Sequence, residues 1–101
     1  MAGVALHSSL TVIFIKEGES IIAYCPALDL STCGDSFEEA KKNFEEAQVL
    51  FMNECIQRKT LPDALDSLGW NLDKDRGDWT PPEVIGQIEI PILNMHKTWA
   101  D

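Results

Sequence analysis

CGDSFEEAKKNFEEA, residues 33 to 47, is where extended chain hands over to a helix. Ser36 favours a helix start and Glu39 stands three positions on, the spacing of a capping box in which the Ser36 hydroxyl accepts from the Glu39 amide. From there Phe37, Ala40, Phe44, Ala47, Phe51 and Cys55 recur at intervals of three and four. That spacing makes one apolar stripe along a helix predicted to reach about Lys59, with Leu50 and Ile56 widening it. The opposite face carries Glu38, Lys41, Lys42, Glu45 and Glu46. Glu38 with Lys42, Lys41 with Glu45 and Lys42 with Glu46 are spaced for i,i+4 pairs, each worth roughly a few tenths of a kcal/mol.

Upstream, Leu6, Ser8, Leu10, Val12 and Phe14 share one face of a strand from Leu6 to Lys16, and Thr11, Ile13 and Ile15 share the other, so both faces are apolar in the middle. Glu17-Gly18-Glu19 is a turn, and Ile21 to Cys25 is the returning strand of a hairpin. Pro26 removes a backbone donor and ends it, and Ser31-Thr32-Cys33 is long enough for a brief third strand. Downstream, Thr60 caps a short helix from Leu61 to Leu68, Pro62 suits its first turn and Gly69 stops it. Residues 71–83 are polar and broken by Gly77, Pro81 and Pro82, which reads as an irregular connection. Val84, Ile88, Ile90 and Ile92 then alternate with Gln87, Glu89 and Pro91 as a half-buried fourth strand, Pro91 favouring a sheet edge.

The expected architecture is α+β: three antiparallel strands, a long helix, a short helix and a fourth strand, with the helix packed on one sheet face. One domain is expected over residues 1–93, with 94–101 a short tail whose Trp99 has no obvious core position. Eight basic against seventeen acidic side chains give a net charge of −9. Such a field repels phosphate backbones and draws in basic proteins, so a basic protein partner is expected before a nucleic acid or an anionic membrane. Residues 1–10 lack a signal-peptide pattern, and apolar runs such as Val12–Ile15 are far below the roughly 20 residues a membrane helix needs. A soluble, cytoplasmic chain is therefore expected. The three cysteines, Cys25, Cys33 and Cys55, are odd in number and read as free thiols.

Ala23-Tyr24-Cys25-Pro26-Ala27-Leu28, then Cys33-Gly34-Asp35-Ser36 and Glu38-Glu39-Ala40, resemble the HicB-like antitoxin family. There a strand ends in an aromatic-x-Pro-x-Leu segment, a Gly-Asp-Thr/Ser step opens the helix, and a Glu-Glu-Ala pair is followed by a second alanine seven residues on, here Ala47. The resemblance spans about Val12 to Trp70, where Leu61 to Trp70 is similar to a Leu-x-x-x-Leu-x-x-x-Gly-Trp ending, and extends to Ile88–Ile92. It implies a truncated ribonuclease H-like fold. It also implies an antitoxin of a toxin–antitoxin system that binds and inhibits a HicA-type toxin, a small basic mRNA-cleaving ribonuclease, often as a homo-oligomer. Members with a carboxy-terminal ribbon-helix-helix or helix-turn-helix bind their operator. This chain ends soon after its expected fourth strand, so direct DNA binding is not expected.

The same residues have structural roles that need no partner: Pro26 and Gly34 as backbone punctuation, and Ala40 and Ala47 small enough to let the helix lie close on the sheet. Tyr24 suits a ring in the core with its hydroxyl at the surface. A nuclease would need carboxylates converging on two metal ions about 4 Å apart. Among Asp29, Asp35, Glu38 and Glu39, three already belong to the helix start, and the first strand has no acid before Glu17. No catalytic residue, cofactor or metal site is expected. His7 and His96 form no paired ligand spacing with the cysteines. Residues 73–78 are similar to a calcium loop, but the glycine comes one position early and Val84 stands where the twelfth-position Glu belongs. Residues 63–83 hold six acids and two bases, a local charge of −4. The expected partner contacts are Tyr24, Asp29, Glu38, Glu45, Glu46, Asp73, Asp75 and Asp78. The alternative is an orphan HicB-like homo-oligomeric binding or structural module, its unpaired Val84–Leu93 edge available to a second copy.

Overall fold

The computed structural model describes residues 5, 6 and 9–93. Three strands, β2 (Ile13–Glu17), β3 (Ser20–Cys25) and β4 (Leu30–Gly34), form an antiparallel sheet in that order; a short first strand, β1 (Ala5–Leu6), belongs to a second sheet. The β2–β3 hairpin closes where expected, with Glu17 opposite Ser20 and Gly18 at φ +62°. At the β3–β4 loop Asp29 takes φ +49°, and the amides of Leu28 and Asp29 donate to the carbonyls of Cys25 and Pro26.

Helix α1 (Phe37–Gln57) lies on one face of this sheet. Ser36 caps it as its spacing requires, accepting from the Glu39 amide at 3.1 Å. The Glu39 carboxylate reaches back one residue further than a capping box specifies and accepts from the Asp35 amide at 2.6 Å. The close fit of helix on sheet rests on small residues: Ala23 and Ala40 are both 0 % exposed. A Cβ built on Gly34 would stand 2.6 Å from the Ala40 amide nitrogen. Phe44 and Met52 complete the buried line, Phe51 and Cys55 are half-buried, and Phe37 lies at the rim with its ring 4.2 Å from that of Phe14. Leu50 and Ile56, expected to widen the buried stripe, are instead exposed.

At its far end α1 passes through Arg58 to Lys59 at φ +58°, and the Thr60 amide returns to the Cys55 carbonyl at 2.9 Å. Thr60 precedes helix α2 (Leu61–Ser67) without capping it, because its hydroxyl also turns back toward the Cys55 carbonyl, at 3.5 Å. Leu61 and Leu65 of α2 are buried, and Gly69 at φ +88° ends it. Trp70, 5 % exposed, donates from its indole nitrogen to the Ala27 carbonyl at 2.8 Å and ties α2 to the β3–β4 loop.

The structure differs from the sequence expectation most after Trp70. Residues 71–83, read as irregular, contain a hairpin of β5 (Asn71–Asp73) and β6 (Asp78–Thr80). The Asp73 carboxylate accepts from the amides of Asp75 and Arg76, Gly77 takes φ +75°, and Trp79 buries its ring. β6 also pairs in parallel with β1, Ala5 opposite Asp78 and Leu6 opposite Trp79. The strand that returns beside the start of the chain is thus β6. Val84–Leu93, the expected fourth strand, pairs with nothing among the described residues, and Ile85, Ile88, Ile90, Ile92 and Leu93 are 76–92 % exposed. The expected first strand is interrupted: its backbone is strand at 5–6 and again from Ile13. His7, Ser8, His96, Trp99 and the tail 94–101 lie outside the described residues.

Candidate partner-binding surface

Strand alternation separates the expected contact residues onto different faces. In β3, Ala23 and Cys25 are 0 % exposed beneath α1, so Tyr24 and Ile22 point to the face the helix does not cover. Register places Ile13, Tyr24 and Ser31 in one row and Ile15, Ile22 and Cys33 in the next. Tyr24 is half-buried there, and its hydroxyl donates to Asp29 Oδ1 at 3.0 Å. The bond to Asp29, then burial, then the Asp29 charge hold the phenol above its usual value. Tyr24 therefore stays a protonated donor at neutral pH, oriented by a loop carboxylate whose backbone is itself left-handed. This pair is the one link the structure makes between expected contacts of β3 and of its loop.

Glu38, Glu45 and Glu46 lie on α1, exposed, on the other side of the sheet. None of the three anticipated i,i+4 pairs closes; among the described residues the pair of that spacing that does is Glu54–Arg58, at 3.7 Å. Glu45 and Glu46 border a shallow apolar groove of about 480 Å³ floored by Val49 and Leu50, which are 52 % and 69 % exposed. A second groove of about 460 Å³, lined by Ala47, Leu50, Phe51, Glu54, Cys55, Arg58 and Thr60, adjoins it through Leu50. Together they make an apolar strip rimmed chiefly by carboxylates. Sequence reasoning supplied Glu45 and Glu46 of this strip but not Glu54, assigned Leu50 to the core and passed over Val49. The signal was present: the apolar arc of the helix is wider than one small sheet can cover.

The third set sits in the β5–β6 hairpin. Asp75 is exposed, Asp73 is half-buried and occupied with its turn, and Asp78 is 7 % exposed with Arg76 Nε at 3.1 Å from its carboxylate. Only Asp75 of these three projects freely as surface charge. The residues weighed for metal chemistry do not converge. Asp29 serves Tyr24, Glu39 serves the Asp35 amide, and Glu38 is on the helix surface. Among the described residues no group of three or more His, Cys, Asp or Glu side chains is placed to hold a metal ion. All three cysteines are free, Cys25 buried, Cys55 half-buried and Cys33 exposed. Among the described residues no helix is long and apolar enough to cross a membrane. Comparison with protein-family models, curated proteins and solved structures finds no match to this chain.

Proposed function

We propose that this chain is an antitoxin-like, HicB-like binding protein that neutralises a small basic HicA-type ribonuclease by occluding its active face. The observation that carries this reading is the α1 strip, where Val49 and Leu50 lie exposed between Glu45, Glu46 and Glu54. An apolar centre with a charged rim is the anatomy of a protein-binding surface, and here the rim suits a cationic partner. The net charge of −9 would steer such a partner at long range. The truncated ribonuclease H-like assignment draws support from the topology: an antiparallel β2–β3–β4 sheet, a helix on one face, and a later strand, β6, returning parallel to β1. A partner patch of roughly 800 Å² is within reach of a domain this size.

The test pairs the protein with the small basic product of an adjacent reading frame and measures both RNA cleavage and association rate. Stoichiometric inhibition is expected. Replacing Glu38, Glu45 and Glu46 with Lys should slow association by about 10- to 100-fold at low salt and flatten its salt dependence. Unimpeded cleavage at saturating protein would refute the function, and an unchanged rate in the triple variant would remove this face. The exposed arm 84–93 favours a second reading, an orphan HicB-like homo-oligomeric module without a toxin, which predicts no such partner.

A further inference from the structure

We propose that Val84–Leu93 is an exchanged strand that adds to the open β2 edge of a second copy of this chain, each copy giving its arm to the other. This inference is independent of the toxin reading. The arm has the makings of a strand but no strand partner among the described residues. Ile88, Ile90 and Ile92 alternate with Gln87, Glu89 and Pro91, and none of its backbone groups is hydrogen-bonded among the described residues. It leaves the body through Pro81-Pro82, a stiff pair without amide donors that favours extended chain over a fold back onto the same molecule.

The receiving edge is on the page as well. Of the two outer strands of the β2–β3–β4 sheet, β4 is partly closed because Asn43 Nδ2 donates to the Cys33 carbonyl at 2.8 Å. Among the described residues no such bond closes β2, whose Ile15 is 45 % exposed. Charge does not stand against a second copy at this place, since Glu89 is the one charged residue of the arm, which leaves little there for a chain of −9 to repel and little for a basic partner to grip. Size is adequate too. A buried aliphatic side chain removes roughly 60–120 Å² from water. Five such side chains on each arm, with the surfaces they cover, come to the order of the 800 Å² per copy that stable pairs use.

Pro91 then has a use. Residues 87, 89 and 91 direct their backbone groups to one edge of the arm and residues 88, 90 and 92 to the other. The missing donor of Pro91 spoils only the first edge, so the arm can terminate a sheet but not template another strand. Such exchange closes on itself as a symmetric pair and does not propagate into a fibre.

Light scattering and sedimentation of the full chain from about 1 µM to about 100 µM should give twice the 11.3 kDa chain mass. The double variant Ile88→Lys/Ile90→Lys and, on the receiving edge, Ile15→Lys should each restore the single-chain mass with unchanged circular dichroism. In a mixture of labelled and unlabelled chains, filtered methyl NOEs should connect Ile88 and Ile90 of one copy to β2 of the other. A monomer throughout the range overturns the proposal. So does a dimer that survives the arm substitutions, or a dimer whose arm contacts are confined to its own chain.

Discussion

Gly34 stands where the last residue of β4 meets the first turn of α1, and the added methyl of an alanine would lie 2.6 Å from the Ala40 amide nitrogen and 3.0 Å from the Glu39 backbone carbon. Both atoms belong to the Glu39–Ala40 peptide bond, helix backbone with no flexible end to yield, so Gly34→Ala should cost about 1–3 kcal/mol, measured as a lower urea midpoint with unchanged slope. Trp70 offers a contrasting residue, important for one polar atom. Trp70→Phe keeps most of the buried ring but strands the Ala27 carbonyl, and a loss of about 1–3 kcal/mol in the same titration is expected. The two residues differ in legibility. The small residues at the helix start announce a close approach through local spacing alone. The indole of Trp70 has its partner 43 positions away, and no pattern in a single sequence marks such a distance. Tyr24 lies between them: an amphipathic ring at a strand end foretells a half-buried side chain with a bonded hydroxyl, but not that Asp29 receives the bond.

Elements were legible in proportion to how locally they are determined. α1 begins where Ser36 and Glu39 place it because a cap is a contact across three residues. Its end carries no glycine: Lys59 occupies the left-handed position of the C-terminal motif, with its amide on Ile56 and that of Thr60 on Cys55. Lys59→Gly should therefore stabilise the protein by about 0.5–1 kcal/mol, read as a rise of a few degrees in Tm, because glycine adopts that conformation without the Cβ clash. The β5–β6 hairpin was hidden by its polarity. It is built from a carboxylate-bridged turn and one buried indole, Trp79, instead of an alternating apolar run. The arm shows the converse. Its alternation reads as a strand, but alternation states only what a segment can bury, and among the described residues nothing of its own chain pairs with it or buries it.

At the scale of the molecule the radius of gyration is 17.5 Å, against about 13 Å for a compact chain of this length. Every residue of the run 82–93 is exposed. The acid-rimmed strip lies on α1, the arm and the β2 edge elsewhere, so the two proposed activities should separate. Glu45→Lys with Glu46→Lys is expected to leave the mass in solution unchanged, and Ile88→Lys with Ile90→Lys to leave the rate of toxin association unchanged; crossed effects would show one shared surface. Composition and charge gave only the expectation of a cationic partner, and which acids are free was not legible, since burial of Asp78 beside Arg76 depends on a hairpin that only the folded chain reveals. The parallel pairing of Ala5 with Asp78 also sets an order in time. β2, β3, β4 and α1 are neighbours along the chain and close short loops, whereas β1 can meet β6 only after more than two-thirds of the residues have been gathered between them. On a ribosome the first strand would emerge earliest and find its mate last, so the β1–β6 pairing that completes the second sheet should form late and be what a truncated nascent chain lacks.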